Sequence, residues 1–251
     1  MSLRSRMAGG DPLLGLILKV PAHSAVELAG HLGFDFVLLD TEHAPAETVE
    51  VEHHVRAGEA AGIPVLVRLA GNDPAAALHA LDAGAAGIVV PHVSDAADAE
   101  AAVRAAHYPP RGIRSLAVST RAGRHGTRTL EEHLAEAARE TVVVVQAEDR
   151  DSVRNCDAIA ATDGVDAVWI GPTDLSLSLG VPGNFGHAGY RAAVDRVVEA
   201  VVSAPQCALC VLVDHPGKVG EWRERGAGVL LFNFNTVVVE GLRAIVSSVR
   251  R

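Results

Sequence analysis

Asp40-Thr41-Glu42-His43 places two carboxylates and an imidazole immediately after the apolar run Phe34-Asp35-Phe36-Val37-Leu38-Leu39. Similar polar arrivals recur at Arg68 after Pro64–Leu69's apolar core, at Gln146 and Glu148 after Val142-Val143-Val144-Val145, and at Gly171-Pro172-Thr173-Asp174 after Val168-Trp169-Ile170. Glu148 and Asp174 are hard oxygen donors that, on neighbouring strands, approach one Mg2+ or Mn2+ and leave positions for water and ligand. An imidazole titrating near neutrality, such as His43, suits proton transfer. Arg68 offers a bidentate clamp for an oxyanion or carboxylate, and a Gly-led turn into a helix start at Gly171-Pro172-Thr173-Asp174 favours an anionic ligand. Two bland readings compete: Arg68 pairing with Asp40 or Glu42, and Asp174 capping its helix.

These clusters need elements that bring them together. Apolar runs that read as strands lie at 13–20, 34–40, 64–69, 87–92, 141–148, 167–171, 208–213 and 229–232, and amphipathic stretches at 24–32, 48–61, 74–83, 96–106, 152–161, 188–203, 216–225 and 237–249 separate or follow them. Asp73-Pro74 reads as an N-cap with Pro at N1, and Gly33, Gly62 and Gly84 read as helix stops. Regular alternation implies a parallel sheet, and eight units in 251 residues favour a single closed (β/α)8 TIM barrel of class α/β. No Gly-x-Gly-x-x-Gly follows the first strand, against a dinucleotide fold. In a barrel, the polar clusters all sit at carboxyl strand ends, where catalytic residues of this architecture gather.

Composition narrows the partners. A net charge of -9 disfavours nucleic acid and anionic membranes, and no apolar run approaches a membrane span. Residues 1–10 read as a flexible lead, and 11–251 as one domain. Cys156, Cys207 and Cys210 are too few and too apolar in context for a disulfide framework, so a reducing cytoplasm is expected. Cys207-Ala208-Leu209-Cys210 reads as packing rather than a redox pair, since residues three apart on a strand face opposite sides. Tyr108 to Arg128 is a long Arg-bearing loop, of the kind that forms lids, binding loops or subunit contacts. His92 follows the fourth strand and is read only as lining. Two lysines exist, Lys19 and Lys218, and Lys19 near the end of the first strand is the one credible Schiff-base candidate.

The chain resembles the HpcH/HpaI class II aldolases, metal-dependent pyruvate aldolases on a phosphoenolpyruvate/pyruvate-type barrel. The resemblance runs from Leu13 to about Val249. It rests on Gly33-Phe34-Asp35-Phe36-Val37-Leu38-Leu39-Asp40-Thr41-Glu42-His43-Ala44, Val67-Arg68 with Asn72-Asp73-Pro74, Tyr108-Pro109-Pro110-Arg111-Gly112-Ile113-Arg114, Gln146-Ala147-Glu148 and Ile170-Gly171-Pro172-Thr173-Asp174-Leu175-Ser176. It implies a divalent ion (Mg2+, Mn2+ or Co2+) on Glu148 and Asp174, a catalytic His43 supported by Asp82, and Arg68 steadying an enolate. Gln146 with Gly171, Pro172, Thr173 and Asp174 would hold the oxo acid. Asp82 gains its role only from the resemblance; by pattern it is a surface helix residue. The implied reaction is reversible cleavage of a 4-hydroxy-2-oxo acid to pyruvate, or hydroxypyruvate, and an aldehyde. A homo-oligomer, trimer or hexamer, is implied too, with the helix at 237–250 packing on a neighbouring subunit. Alternatives are a citryl-type CoA lyase using the same chemistry and a non-catalytic metabolite-binding barrel. Ser115, His187-Ala188 and Asn235 depart from the family's usual residues and leave acceptor specificity open.

Overall fold

Eight parallel strands close into a barrel in sequence order in the computed structural model, which describes residues 1–250. The strands are β1 (Leu13–Leu18), β2 (Phe36–Asp40), β3 (Val65–Arg68), β4 (Gly87–Val90), β5 (Val142–Ala147), β6 (Ala167–Ile170), β7 (Ala208–Leu212) and β8 (Ala227–Asn233). Around them run α2 (His23–Leu32), α3 (Thr48–Ala61), α4 (Pro74–Asp82), α5 (Ala96–Ala106), α6 (Leu130–Glu140), α7 (Arg150–Arg154), α8 (Cys156–Ala161), α9 (Pro172–Ser178), α10 (Ala188–Val202), α11 (Val219–Glu224) and α12 (Phe234–Val249), preceded by α1 (Leu3–Met7). The expected TIM barrel is what forms. Asp73 caps α4 by accepting from Ala75 N–H with Pro74 at N1, and left-handed Gly33 and Gly62 end α2 and α3.

Strand periodicity splits the core in two. Leu16, Leu18, Val37, Leu39, Val143 and Val145 face the helices, whereas Leu13, Ile17, Phe36, Leu38, Leu66, Val89, Val144, Trp169, Cys210, Val229 and Leu231 fill the lumen. Two residues beyond a lumen-facing apolar side chain, the same face carries Lys19 on β1's exit, Asp40 on β2, Arg68 on β3 and Gln146 on β5. The lumen is thus apolar below and charged at its carboxyl end, which is the physical origin of the site.

Several expectations are corrected. Residues 1–10 do not form a simple flexible lead: Ser2 caps α1, and Leu3 and Met7 are buried, joining the lumen cluster at its amino end. Arg4 and Arg6 pair with Asp166 and Asp35, which fastens the helix there. Helix α6 is an element the apolar pattern passed over; its signal is the capping box from Thr129 to Glu132. The helix expected at 152–161 is two short ones meeting at Asn155. Cys207 and Cys210 are buried free thiols in separate clusters, as expected for packing, and burial pushes the Cys207 thiol up to about 12. Among the described residues no helix is long and apolar enough to cross a membrane.

The Arg-bearing loop is tied to the amino end of the barrel. Arg114 donates to Asp82 at 2.8 Å, Arg111 to Asp163 at 3.2 Å, and Arg121 and Arg128 pair with Glu59 and Glu136. His107 opens this loop, buried at 3% exposure, and among the described residues its Nε2 has no hydrogen-bond partner. Burial first, and then the charges of Arg111, Arg4 and Arg114, push its pKa from 6.5 down to about 4. The unfolded chain therefore takes up this proton before the folded one does, so the contribution of His107 to stability is lost as pH falls through 6.5 towards 4. Glu148, described below, works in the opposite sense, so the variant isolates the effect. Between about pH 7 and about pH 4.5 the stability of His107→Gln relative to wild type should improve by about 2–3 kcal/mol in urea unfolding. A difference that does not change with pH would contradict this assignment.

Candidate active site

Asp40 is fully buried and anchors the β2–β3 side of the mouth. Its Oδ1 accepts from Glu42 N–H at 3.0 Å, His43 N–H at 3.2 Å and Arg68 Nε at 3.1 Å, while its Oδ2 accepts from Arg68 Nη2. Burial works against ionisation of Asp40, but the Arg68 hydrogen bond and charge with the two backbone donors outweigh it, so its pKa lies below the ordinary value. Lys19 Nζ stands 3.8 Å from Asp40 Oδ2 at the lumen's rim.

Arg68, 3% exposed, is the hub. Beyond its fork on Asp40, its Nη1 donates to Gln146 Oε1 at 3.3 Å and lies 3.1 Å from Glu42 Oε2. Its Cζ sits 5.2 Å from the centroid of the Trp169 ring, which floors the site. The pairing of Arg68 with Asp40 and Glu42 read from sequence as the bland alternative is real, and it holds the guanidinium in the site rather than away from it.

Glu148 lies across the mouth, 2% exposed. Its Oε2 accepts from Gln146 Nε2, and its Oε1 accepts from the His92 backbone N–H at 2.8 Å. Burial, offset in part by His92 and reinforced by Asp174 and Glu42, pushes its pKa up to about 7. Such a carboxylate is short of positive charge, and a bound cation supplies it. Asp174 stands in the first turn of α9, partly buried; among the described residues its carboxylate accepts no hydrogen bond and pairs with no cation, so it does not cap the helix. Gly171 makes room for the group: a Cβ there would lie 2.5 Å from Glu148 Oε2 and 2.6 Å from Gln146 Nε2. A buried, charge-starved carboxylate, an unpaired second one and a side-chain-free cradle fit a divalent ion.

His43 is exposed at the rim, its Nε2 3.7 Å from Glu42 Oε2. The structure also brings in a residue that sequence reading left as mere lining. His92 Nδ1 is 3.1 Å from Glu148 Oε1 and its Nε2 is 3.0 Å from Glu42 Oε1. Asp82, by contrast, is not brought to His43 in one chain. β3 ends at the mouth with Arg68 and α4 runs back, so Asp82 lies at the amino end of the barrel, bonded to Arg114.

A second donor cluster, His23, Glu50 and His54, gathers its ligand atoms within 4.8 Å between α2 and α3. His54 is fully buried and already committed: Nε2 accepts from Ala22 N–H at 3.0 Å, which leaves the proton on Nδ1, 2.6 Å from Glu50 O. Ligation through Nδ1 would break the bond that holds the start of α2, so this cluster reads as a structural tether.

The sequence of residues 14–239 matches the family described as HpcH/HpaI aldolase/citrate lyase. The chain is 38% identical over 207 residues to a hydroxypyruvate/pyruvate aldolase of Pseudomonas aeruginosa, covering 82% of this chain and 76% of that protein. A pyruvate aldolase of Rhizobium etli is 36% identical over 195 residues, 78% of this chain and 76% of the relative. Among solved structures, an HpcH/HpaI aldolase/citrate lyase family protein from Burkholderia cenocepacia J2315 superposes with a TM-score of 0.93 at 33% identity, covering 99% of each chain. The citrate synthase SbnG superposes with a TM-score of 0.89 at 29% identity, over 99% of this chain and 97% of the other. This chain belongs to the HpcH/HpaI aldolase/citrate lyase family.

Proposed function

We propose that this protein is a divalent-metal-dependent aldolase that cleaves a 4-hydroxy-2-oxo acid into pyruvate, or hydroxypyruvate, and an aldehyde, and runs the reaction in reverse. The observation that carries it is Glu148: a buried carboxylate with its pKa raised to about 7, facing the gap left by Gly171 beside the unpaired Asp174. Aldolase relatives at this level of identity support the same reading. Glu148 and Asp174 would hold Mg2+, Mn2+ or Co2+. When bound, such an ion acts as a Lewis acid that offsets negative charge on the oxygens of a 2-oxo acid.

The chain's own groups do the rest. The first-turn N–H groups of α9, at Thr173 and Asp174, have no intrahelical acceptor and can receive the substrate carboxylate alongside Pro172 and Gln146. His43, held by its backbone bond to Asp40 yet exposed at the rim, takes the proton from the 4-hydroxyl. The C3–C4 bond then breaks, the aldehyde leaves, and the electron pair stays with C3 as an enolate. Arg68 offsets the growing charge on the keto oxygen, and a proton delivered to C3 completes pyruvate. Release of pyruvate from 4-hydroxy-2-oxo acids, lost with chelator and restored by Mg2+, Mn2+ or Co2+, tests the reading. The likeness to SbnG favours, as a second reading, carbon–carbon chemistry on a citrate-type substrate. Turnover of citryl-CoA in place of oxo acids would select it.

Two features support an assembled enzyme. Helix α12 has no buried residue, and Val237, Leu242, Ile245 and Val249 are all exposed along it, an apolar surface that suits a second copy of this chain. Asp82, at the far end of its own barrel, supports His43 only if it belongs to a neighbouring subunit. His43→Asn and Asp82→Asn proteins are then each nearly inactive. When dissociated and reassembled together in equal amounts they should regain about a quarter of wild-type activity, because one site in four takes its His43 from an Asp82→Asn copy and its Asp82 from a His43→Asn copy. Absence of any recovery in verified mixed oligomers would place Asp82 outside the site.

A further inference from the structure

A closed circuit of polar contacts runs round the mouth. Arg68 Nη1 faces Glu42 Oε2 at 3.1 Å, Glu42 Oε1 faces His92 Nε2 at 3.0 Å, and His92 Nδ1 faces Glu148 Oε1 at 3.1 Å. Gln146 Nε2 then donates to Glu148 Oε2, and Arg68 Nη1 closes the ring by donating to Gln146 Oε1 at 3.3 Å. β2, β3 and β5 supply the other members or carry them at their ends. His92 is the only member that follows β4, and the only one whose side chain is mostly exposed, at 60%.

The backbone at His92 makes this placement unusual. Its φ is 56°, in the left-handed region that disfavours residues with a Cβ. Nothing apolar rewards that conformation, because the ring stands in solvent. What the conformation does achieve is to aim both the backbone N–H and the imidazole at Glu148 while the far nitrogen reaches Glu42. An outlier of this kind at a ligand site is expected where geometry, not packing, is being held.

We propose that His92 is a positioning residue for the metal ligand Glu148, braced against Glu42, so that the carboxylate is oriented before the cation arrives. The inference rests on the metal centre proposed above and adds a function for a residue outside its ligand set. With the His92 N–H and imidazole on Oε1 and Gln146 on Oε2, Glu148 is fixed from both sides, and Oε2 keeps a further lone pair for the ion. Outer partners of this sort typically change metal affinity by about 10–100-fold when removed.

The test is Mn2+ titration followed by electron paramagnetic resonance, with thermal unfolding measured on the same metal-free proteins. His92→Gly deletes the ring and accepts the left-handed backbone, so its Tm should equal or exceed that of wild type while the Mn2+ Kd rises by about 10–100-fold. His92→Asn, which also tolerates this backbone and keeps a shorter donor, should fall between the two. A contact that merely supported the fold would lower Tm and leave Mn2+ binding in the folded protein unchanged. Wild-type affinity in both variants would overturn the positioning role alone. Failure of the wild-type protein itself to bind Mn2+ would overturn the metal centre and this inference with it.

Discussion

Glu148→Ala is expected to abolish both Mn2+ uptake and oxo-acid cleavage, with kcat/KM falling by at least about 10^3-fold, since loss of Lewis-acid charge stabilisation amounts to several kcal/mol. The expectation follows from position. Glu148 is buried, is gripped on one oxygen by Gln146 and on the other by the His92 N–H, and faces the space where Gly171 has no side chain. Removing it leaves Asp174 as the sole proposed ligand. Glu148→Gln separates charge from shape, because the amide nearly matches the carboxylate in volume. It should retain the fold and lose the ion. Equilibrium Mn2+ binding and steady-state cleavage check both variants, and a Glu148→Gln enzyme with wild-type turnover would refute the assignment.

Arg68→Met should lower both stability and activity steeply. Asp40 is fully buried and depends on Arg68 for its compensating charge and two of its hydrogen bonds. Breaking a buried pair from one side costs about 3–5 kcal/mol, and here it leaves the carboxylate with only Lys19 Nζ, 3.8 Å away, to offset it. The double variant Asp40→Asn with Arg68→Met removes the stranded charge and should recover most of that stability, as read by urea unfolding. It should not recover cleavage, because the guanidinium that faces Gln146 and Glu42 is still missing. Recovery of activity together with stability would show that Arg68 serves only the fold. Arg68→Lys is not a conservative control, as an ammonium cannot reproduce the fork on Asp40.

The residues at the centre of the site were legible because they obey strand periodicity. Leu38 and Asp40, Leu66 and Arg68, and Val144 and Gln146 are pairs two apart on one face, so an apolar lumen followed by polar rim residues can be read directly from the chain. His92 escaped that reading because its direction depends on a left-handed backbone after β4, and residue type alone does not announce a positive φ at histidine. Helix α1 reads as a loose lead in the sequence because five residues carry too little periodicity; what orders it is tertiary, through Leu3 and Met7 in the lumen and ion pairs to Asp166 and Asp35. The Arg-bearing loop reads from the sequence as a lid, a binding loop or a subunit contact. In the structure Arg114, Arg111, Arg121 and Arg128 meet Asp82, Asp163, Glu59 and Glu136 at the end of the barrel opposite the site, a consequence of α5 returning there before the loop begins. Lys19, on the lumen face of β1's exit, joins Arg68 as a cation that one chain does place at the mouth.

Exchange of the methyl protons of pyruvate with D2O, followed by proton NMR, isolates enolate formation from any choice of aldehyde. Wild-type protein with Mg2+, Mn2+ or Co2+ should deplete the methyl signal, and chelation or Glu148→Ala should stop the loss. Persistence of the methyl signal with every one of these ions in wild-type protein, or exchange that continues undiminished in Glu148→Ala, would contradict the account.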